Sequence, residues 1–211
     1  MESSFGVENS VTAQDNIVKQ LGKRAVLVRI LRDCTDEFKN MTLDQIANEY
    51  IVGEPQLTAG FTVPDAQHNP IIKGAESEMF FDVIFDVSLP DTKEKIRLII
   101  KIDADPSMPK AIFHTSDFMA DQADRELTHQ EEHIRKVYSI WITINKSAEE
   151  KPGIRFYDIN ETQLAGNFKA DKEDYDLFSI RMLRLSPKAS ENPEGVLRFL
   201  AGLLVQTESV K

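Results

Sequence analysis

Asp82 interrupts the apolar run from Phe80 to Phe85, and Lys101, Asp103 and Asp105 follow one another at intervals of two. Alternate residues of a strand share a face, so a strand that continues to 105 sets all three side chains on one side. Burying a carboxylate costs on the order of several kcal/mol unless it is paired or bound to a cation. Carboxylates from adjacent strands can converge on one hard cation, which takes oxygen ligands. A Mg²⁺ ion held this way polarises a phosphodiester and lowers the pKa of an attacking water. The same spacing also describes a strand end that emerges into solvent, with Asp103 to Pro106 as an ordinary turn. Spacing alone leaves both readings open.

These residues need two paired strands to bring them together. Met79 to Val87 is rich in aromatic and branched residues, and Ile96 to Asp103 follows after a turn around Pro90 and Asp91, which predicts an antiparallel hairpin. Pro106 and Pro109 close the second strand, and residues from Ala111 to about Leu127 fit a helix with Ile112, Thr115, Phe118, Met119 and Gln122 along one face. Val137 to Ile144 is almost continuously apolar, as expected of a strand buried on both faces. Ile154 to Ile159 and Leu177 to Leu185 are further strands, and Glu194 to Gln206 is an apolar helix. Upstream, Ile17, Leu21, Val28 and Leu31 predict a helix from Asn16 to about Lys39, whose outer face carries Lys19, Lys23, Arg24, Arg29 and Arg32. A run of that kind reads first as a solvated face. Thr42 and Gln45 have the spacing of a capping box, opening a short helix with Leu43, Ile46 and Tyr50 on one side. Gly and Pro mark residues 52–78 as loops with at most one short strand, and residues 1–14 read as a mobile leader. The order is an α/β layer protein with helices on a mixed sheet. The expected organisation is a single domain over 15–211, with a core over about 17–145 and an accessory part over 150–211.

Composition narrows the function. With 35 Asp and Glu against 25 Lys and Arg, the 211-residue chain carries a net charge of −10. A protein that holds nucleic acid by bulk charge is basic, so any DNA contact here is expected to be local or transient. The single cysteine, Cys34, excludes a disulfide framework and multi-cysteine zinc sites, and reads as a small buried hydrophobe. No apolar stretch is long enough to span a bilayer, so the expectation is a cytoplasmic protein without a membrane partner.

The segments MFFDVIFDVSLP, RLIIKIDAD and IRKVYSIWITIN carry a resemblance to a known family, together with the opening stretch from about Lys19 and the Glu54-Pro55 and Glu76 positions. In them the chain resembles the PD-(D/E)XK nuclease superfamily, in particular a bacterial nuclease-family transposase branch similar to the recombination-promoting nucleases. The likeness covers most of residues 19–145. It implies a restriction-endonuclease-like core, αβββαβ, with accessory C-terminal strands and helix. It further implies a Mg²⁺-dependent DNA endonuclease, with Mn²⁺ as a substitute ion, associated with mobile elements or recombination. Asp82 matches the first catalytic Asp and, with Asp103, the metal site. Asp103 stands where the family usually has Glu, and Asp105 where it has Gln or, more widely, Lys. Gln122 matches a helix Gln near such sites, Lys101 is a candidate to offset charge, and Glu37 is a candidate additional acid. The shorter Asp103 withdraws its carboxylate by about 1 Å, a displacement that can cost on the order of a hundredfold in rate. Asp105 supplies an anion in place of a donor. These departures keep a second reading open: a nuclease-fold binding or assembly module that does not cleave, with a homodimer as one form.

Other constellations are weaker. His129 and His133 flank Glu132 without the order in which the Glu serves as base, and an exposed helix end explains them. Asp121, Asp124, Glu126 and Glu131 form an acidic stretch that would repel a phosphate backbone. Trp141 and Tyr138 lie in a continuously apolar run and read as core. No glycine-rich phosphate loop or nucleophile elbow is present.

Overall fold

The computed structural model describes residues 16–57, 81–92, 94–128, 134–144, 150–166 and 170–208. The leader, Glu76, His129, His133 and Glu131 lie outside them, and the side chains of Asp124 and Glu126 are likewise not described. The first helical stretch is divided. Residues 16–21 form α1, and after Gly22 and an extended Lys23 the chain restarts as α2 (Arg24–Cys34). The sequence predicts one helix to about Lys39. It stops at Cys34, because Thr35 is extended at φ −126° and ψ 149° and its hydroxyl turns back to donate to Leu31 O. Next comes α3 (Leu43–Gln45), opened by the expected capping box between Thr42 and Gln45 and prolonged by a π-turn over Ile46–Tyr50.

The remaining elements are β1 (Ile51–Leu57), β2 (Val83–Ser88), β3 (Lys95–Ile102), α4 (Met108–Thr128), β4 (Val137–Ile144), β5 (Gly153–Asp158), α5 (Lys172–Tyr175), β6 (Phe178–Leu185) and α6 (Val196–Glu208). They build a six-stranded mixed sheet in the order β1-β2-β3-β4-β6-β5. The β2–β3 hairpin is antiparallel, as expected, and β3, β4 and β6 run parallel to one another. The parallel step from β3 to β4 is made by α4, the crossover that such a pairing requires. β4 sits inside the sheet, and all its residues but Ile144 are buried.

Period two sorts the side chains to the two faces. On one face, Val83, Phe85, Leu98, Ile100, Tyr138, Ile140 and Ile142 pack with Leu21 of α1, Leu27 and Leu31 of α2 and Leu200 of α6. On the other, Ile84, Ile99, Val137, Trp141 and Ile180 pack with Ala111 and Phe118 of α4. The helix presents Ala111, Thr115, Phe118 and Gln122 inward, whereas Ile112, read from sequence as part of that face, is 42% exposed. Lys101 alternates with residues of the first core and therefore belongs to the α4 face, and an ion pair at 3.3 Å sets the Asp82 carboxylate beside it.

Candidate functional site

Asp82 stands immediately before β2, and its N–H donates to Ile100 O at 2.8 Å, so the ladder with β3 holds its backbone in place. The side chain is only 4% exposed. One carboxylate oxygen, Oδ2, accepts the Ile102 N–H at 2.6 Å and the other, Oδ1, accepts from Lys101 Nζ at 3.3 Å. Burial pushes its pKa above the ordinary value, against the pull of the Lys101 charge and the Ile102 N–H, and the Asp103 charge adds to the rise.

Asp103 is the first residue past β3. Its N–H still pairs with Ile142 O of β4 at 3.0 Å, so it is anchored between two parallel strands. Its Oδ1 accepts the Asp105 N–H at 2.9 Å, and its Oδ2 accepts from Lys110 Nζ at 2.5 Å. Burial would raise this carboxyl too. The Lys110 hydrogen bond, the Asp105 N–H and the charges of Lys110 and Lys101 outweigh it and hold the pKa below the ordinary value. The strand ends at Ile102, so Asp105 is not a third strand residue: it is exposed in the turn, and it enters the site through its N–H. That turn also accounts for Asp at 103, because the short side chain reaches the N–H two residues on.

The structure thus gathers Asp82, Lys101 and Asp103 at one end of the hairpin. Lys110 and His114, which sequence reasoning did not single out, join them. The two lie four apart on α4 and so share a helix face. That spacing was their only sequence signal, since which way α4 rolls on the sheet is a tertiary matter. His114 is 6% exposed, its Nδ1 has no hydrogen-bond partner, and its ring lies 6.2 Å from that of Trp141. Burial lowers its pKa, with the Lys110 and Lys101 charges acting the same way, so the imidazole is neutral near pH 7.

Gln122 is not brought to this end. It lies three turns beyond Lys110, about 18 Å along the helix, where Nε2 donates to Arg135 O at 2.9 Å and the buried Oε1 has no partner. Glu37 is on the opposite face, accepting from Tyr138 Oη at 2.7 Å. The basic run of α2 is largely used internally: Arg24 donates to Ala47 O, Arg29 lies over the Phe199 ring at 4.6 Å and Arg32 pairs with Asp33 at 2.8 Å. Cys34 and Trp141 are fully buried, as read from the sequence.

Among the described residues no group of three or more His, Cys, Asp or Glu side chains is placed to hold a metal ion. What the site offers is two hard carboxylates, each matched to one lysine, beside a neutral histidine. No described helix is long and apolar enough to cross a membrane. The chain matches no protein-family model, no curated protein and no solved structure.

Proposed function

We propose that the chain is a metal-dependent DNA endonuclease of restriction-endonuclease-like fold, hydrolysing phosphodiester bonds at the end of the β2–β3 hairpin. The observation that carries this reading is the meeting of Asp82, Lys101 and Asp103 on one face, with Asp82 and Lys101 only 3.3 Å apart. The donor chemistry suits Mg²⁺, which is commonly bound through one or two carboxylates and completes its shell with water and substrate phosphate. Each oxygen of Asp82 and Asp103 accepts one N–H and retains a further lone pair. Asp82 and Asp103 would hold the ion, with Asp105 at the outer edge. The ion would supply a Lewis acid and a bound water of lowered pKa.

The protein's own groups divide the remaining work. Lys101 leaves Asp82 for the scissile phosphate, where its ammonium offsets charge that grows in the transition state. Lys110 orients Asp103 and moderates its charge. His114, with its Nδ1 buried and unpartnered, packs beside Trp141 at that end of the sheet. DNA contact is local, because the whole chain repels a polyanion.

A second reading, a non-cleaving binding or assembly module, is favoured by one observation: Lys110 already neutralises Asp103 at 2.5 Å. A plasmid-nicking assay in Mg²⁺ or Mn²⁺ separates the two. The expected result is metal-dependent nicking that Asp82→Ala abolishes. Folded protein that binds Mn²⁺ yet leaves plasmid intact decides for the module.

A further inference from the structure

α4 covers only part of its sheet face. Beyond it, toward the β5 edge, lies a cavity of about 260 Å³ whose lining includes Trp141, Met182, Lys151, Arg155 and Arg184. Register fixes its construction. Trp141 pairs with Met182 and Met182 with Arg155, while Thr143 pairs with Arg184 and Arg184 with Gly153. Directly opposed residues project to the same side, so two rows across β4, β6 and β5 make an apolar floor under two guanidinium groups. At Gly153 an added Cβ would meet nothing within 4 Å, which leaves open space between the arginines and the rim. Lys151 stands at that rim.

Charge selects the ligand. The chain carries −10, yet this lining holds three cations and no Asp or Glu among the described residues. Arg184 has Glu150 at 3.6 Å outside the lining, whereas Lys151 and Arg155 pair with no acidic side chain among the described residues. Three like charges around one cavity, two of them without an acidic partner among the described residues, repel one another, a cost that a bound anion reverses. Guanidinium forks match the oxygens of phosphate in bidentate fashion. The cavity is smaller than sites for drug-sized ligands, roughly 300 Å³ and upward.

We propose that this cavity binds a single phosphate group, presented by a small phosphorylated molecule or by a nucleic-acid strand. It lies beside the carboxylate site, since its Trp141 is the register partner of Lys101, but it needs neither a metal nor the nuclease reading.

The test is a ³¹P NMR titration of the metal-free protein with inorganic phosphate at constant ionic strength, followed in parallel through the emission of Trp141, the sole tryptophan. Saturable ³¹P broadening is expected, with no matching emission change from acetate. Arg155→Gln, on an exposed side chain, should weaken binding by about tenfold or more, the loss of a charge-assisted hydrogen bond. Gly153→Leu should occlude the cavity and give the same loss. A mononucleotide and a single-stranded oligonucleotide then identify the source. Displacement of phosphate by both points to a strand, and by the mononucleotide alone to a small molecule. Equal responses to acetate and phosphate, or unaltered binding in both variants, overturn the proposal.

Discussion

The two carboxylates at the end of the hairpin are pushed in opposite directions, and the cause is what each oxygen touches. Asp82 is the deeper, and burial wins over Lys101; Asp103 is nearer solvent and receives a lysine and a backbone N–H. Their linkage to folding therefore has opposite sign. Asp103, with its folded pKa lowered, adds stability that is present above the unfolded value of 3.8 and is lost as pH falls through the folded value. Asp82, with its folded pKa raised, contributes most below 3.8, and that contribution is lost as pH rises through the folded value. Denaturant titrations across pH 2 to 7 should consequently diverge. Asp103→Asn should lose up to about 1 kcal/mol against the parent above pH 4, given partial exposure, and converge with it in stronger acid. Asp82→Asn should instead improve relative to the parent as pH rises from 4 toward neutrality. Parallel profiles for the two variants would refute the assignment. The period-two spacing of Lys101 and Asp103 made this pair legible in the sequence. Lys110 was not, because its role depends on how a later helix settles on the sheet.

Elements were legible where burial is two-sided or where a local motif closes on itself. β4 announced itself by its apolar run, and the Thr42–Gln45 box closes within four residues. The ends of α2 were not legible, because tertiary partners set them. Apolar periodicity runs through Gly22, yet the helix breaks there, and a side chain at 22 would come within 2.3 Å of Leu57 of β1. The other helix boundary that depends on a partner is the start of α6. Gly195 has φ +80°, and a Cβ there would lie 3.1 Å from Asp33 Oδ2 of α2. Gly195→Ala should cost about 1–2 kcal/mol, from left-handed backbone strain together with the close approach. Gly202, inside α6 with nothing within 4 Å of its would-be Cβ, should respond the other way, Gly202→Ala gaining up to about 1 kcal/mol. Thermal unfolding of the two variants side by side checks this, and equal shifts would show that neither backbone nor Asp33 constrains position 195.

At the scale of the whole molecule, one buried cation joins elements that are far apart in sequence. Arg181 of β6 is 0% exposed, an unusual place for arginine, and no pattern in an apolar strand foretells the partner it finds. Its Nε donates to Cys34 O at 2.8 Å, capping the last carbonyl of α2, where a cation also suits the helix dipole. Its Nη1 donates to Asp158 of β5 at 2.6 Å, and its guanidinium lies 4.3 Å from the Phe156 ring centroid and 5.2 Å from that of Tyr138. The accessory strands β5 and β6 are thereby tied to the opening helix across the core face opposite the carboxylate site. Removing the guanidinium leaves the buried Cys34 carbonyl without its donor and takes away the packing on the Phe156 and Tyr138 rings, a loss of about 3 kcal/mol. Arg181→Met is therefore expected to cost about 3 kcal/mol or more, and Arg181→Lys to recover little, since an ammonium lacks the planar fork that serves two acceptors at once. Asp158 supplies the acid limb of the same experiment. Burial raises its pKa, but the Arg181 hydrogen bond and charge prevail and hold it below the ordinary value. The stability it adds is present above 3.8 and lost as pH falls through the folded value. In Arg181→Met that acid-sensitive component should shrink to what the Lys136 charge and Ser179 still supply, and a double-mutant cycle with Asp158→Asn should return a coupling well above the few tenths of a kcal/mol typical of independent sites. A coupling near zero would mean that Arg181 acts through the α2 carbonyl and the two rings, and that its pairing with Asp158 adds nothing to the hold on β5.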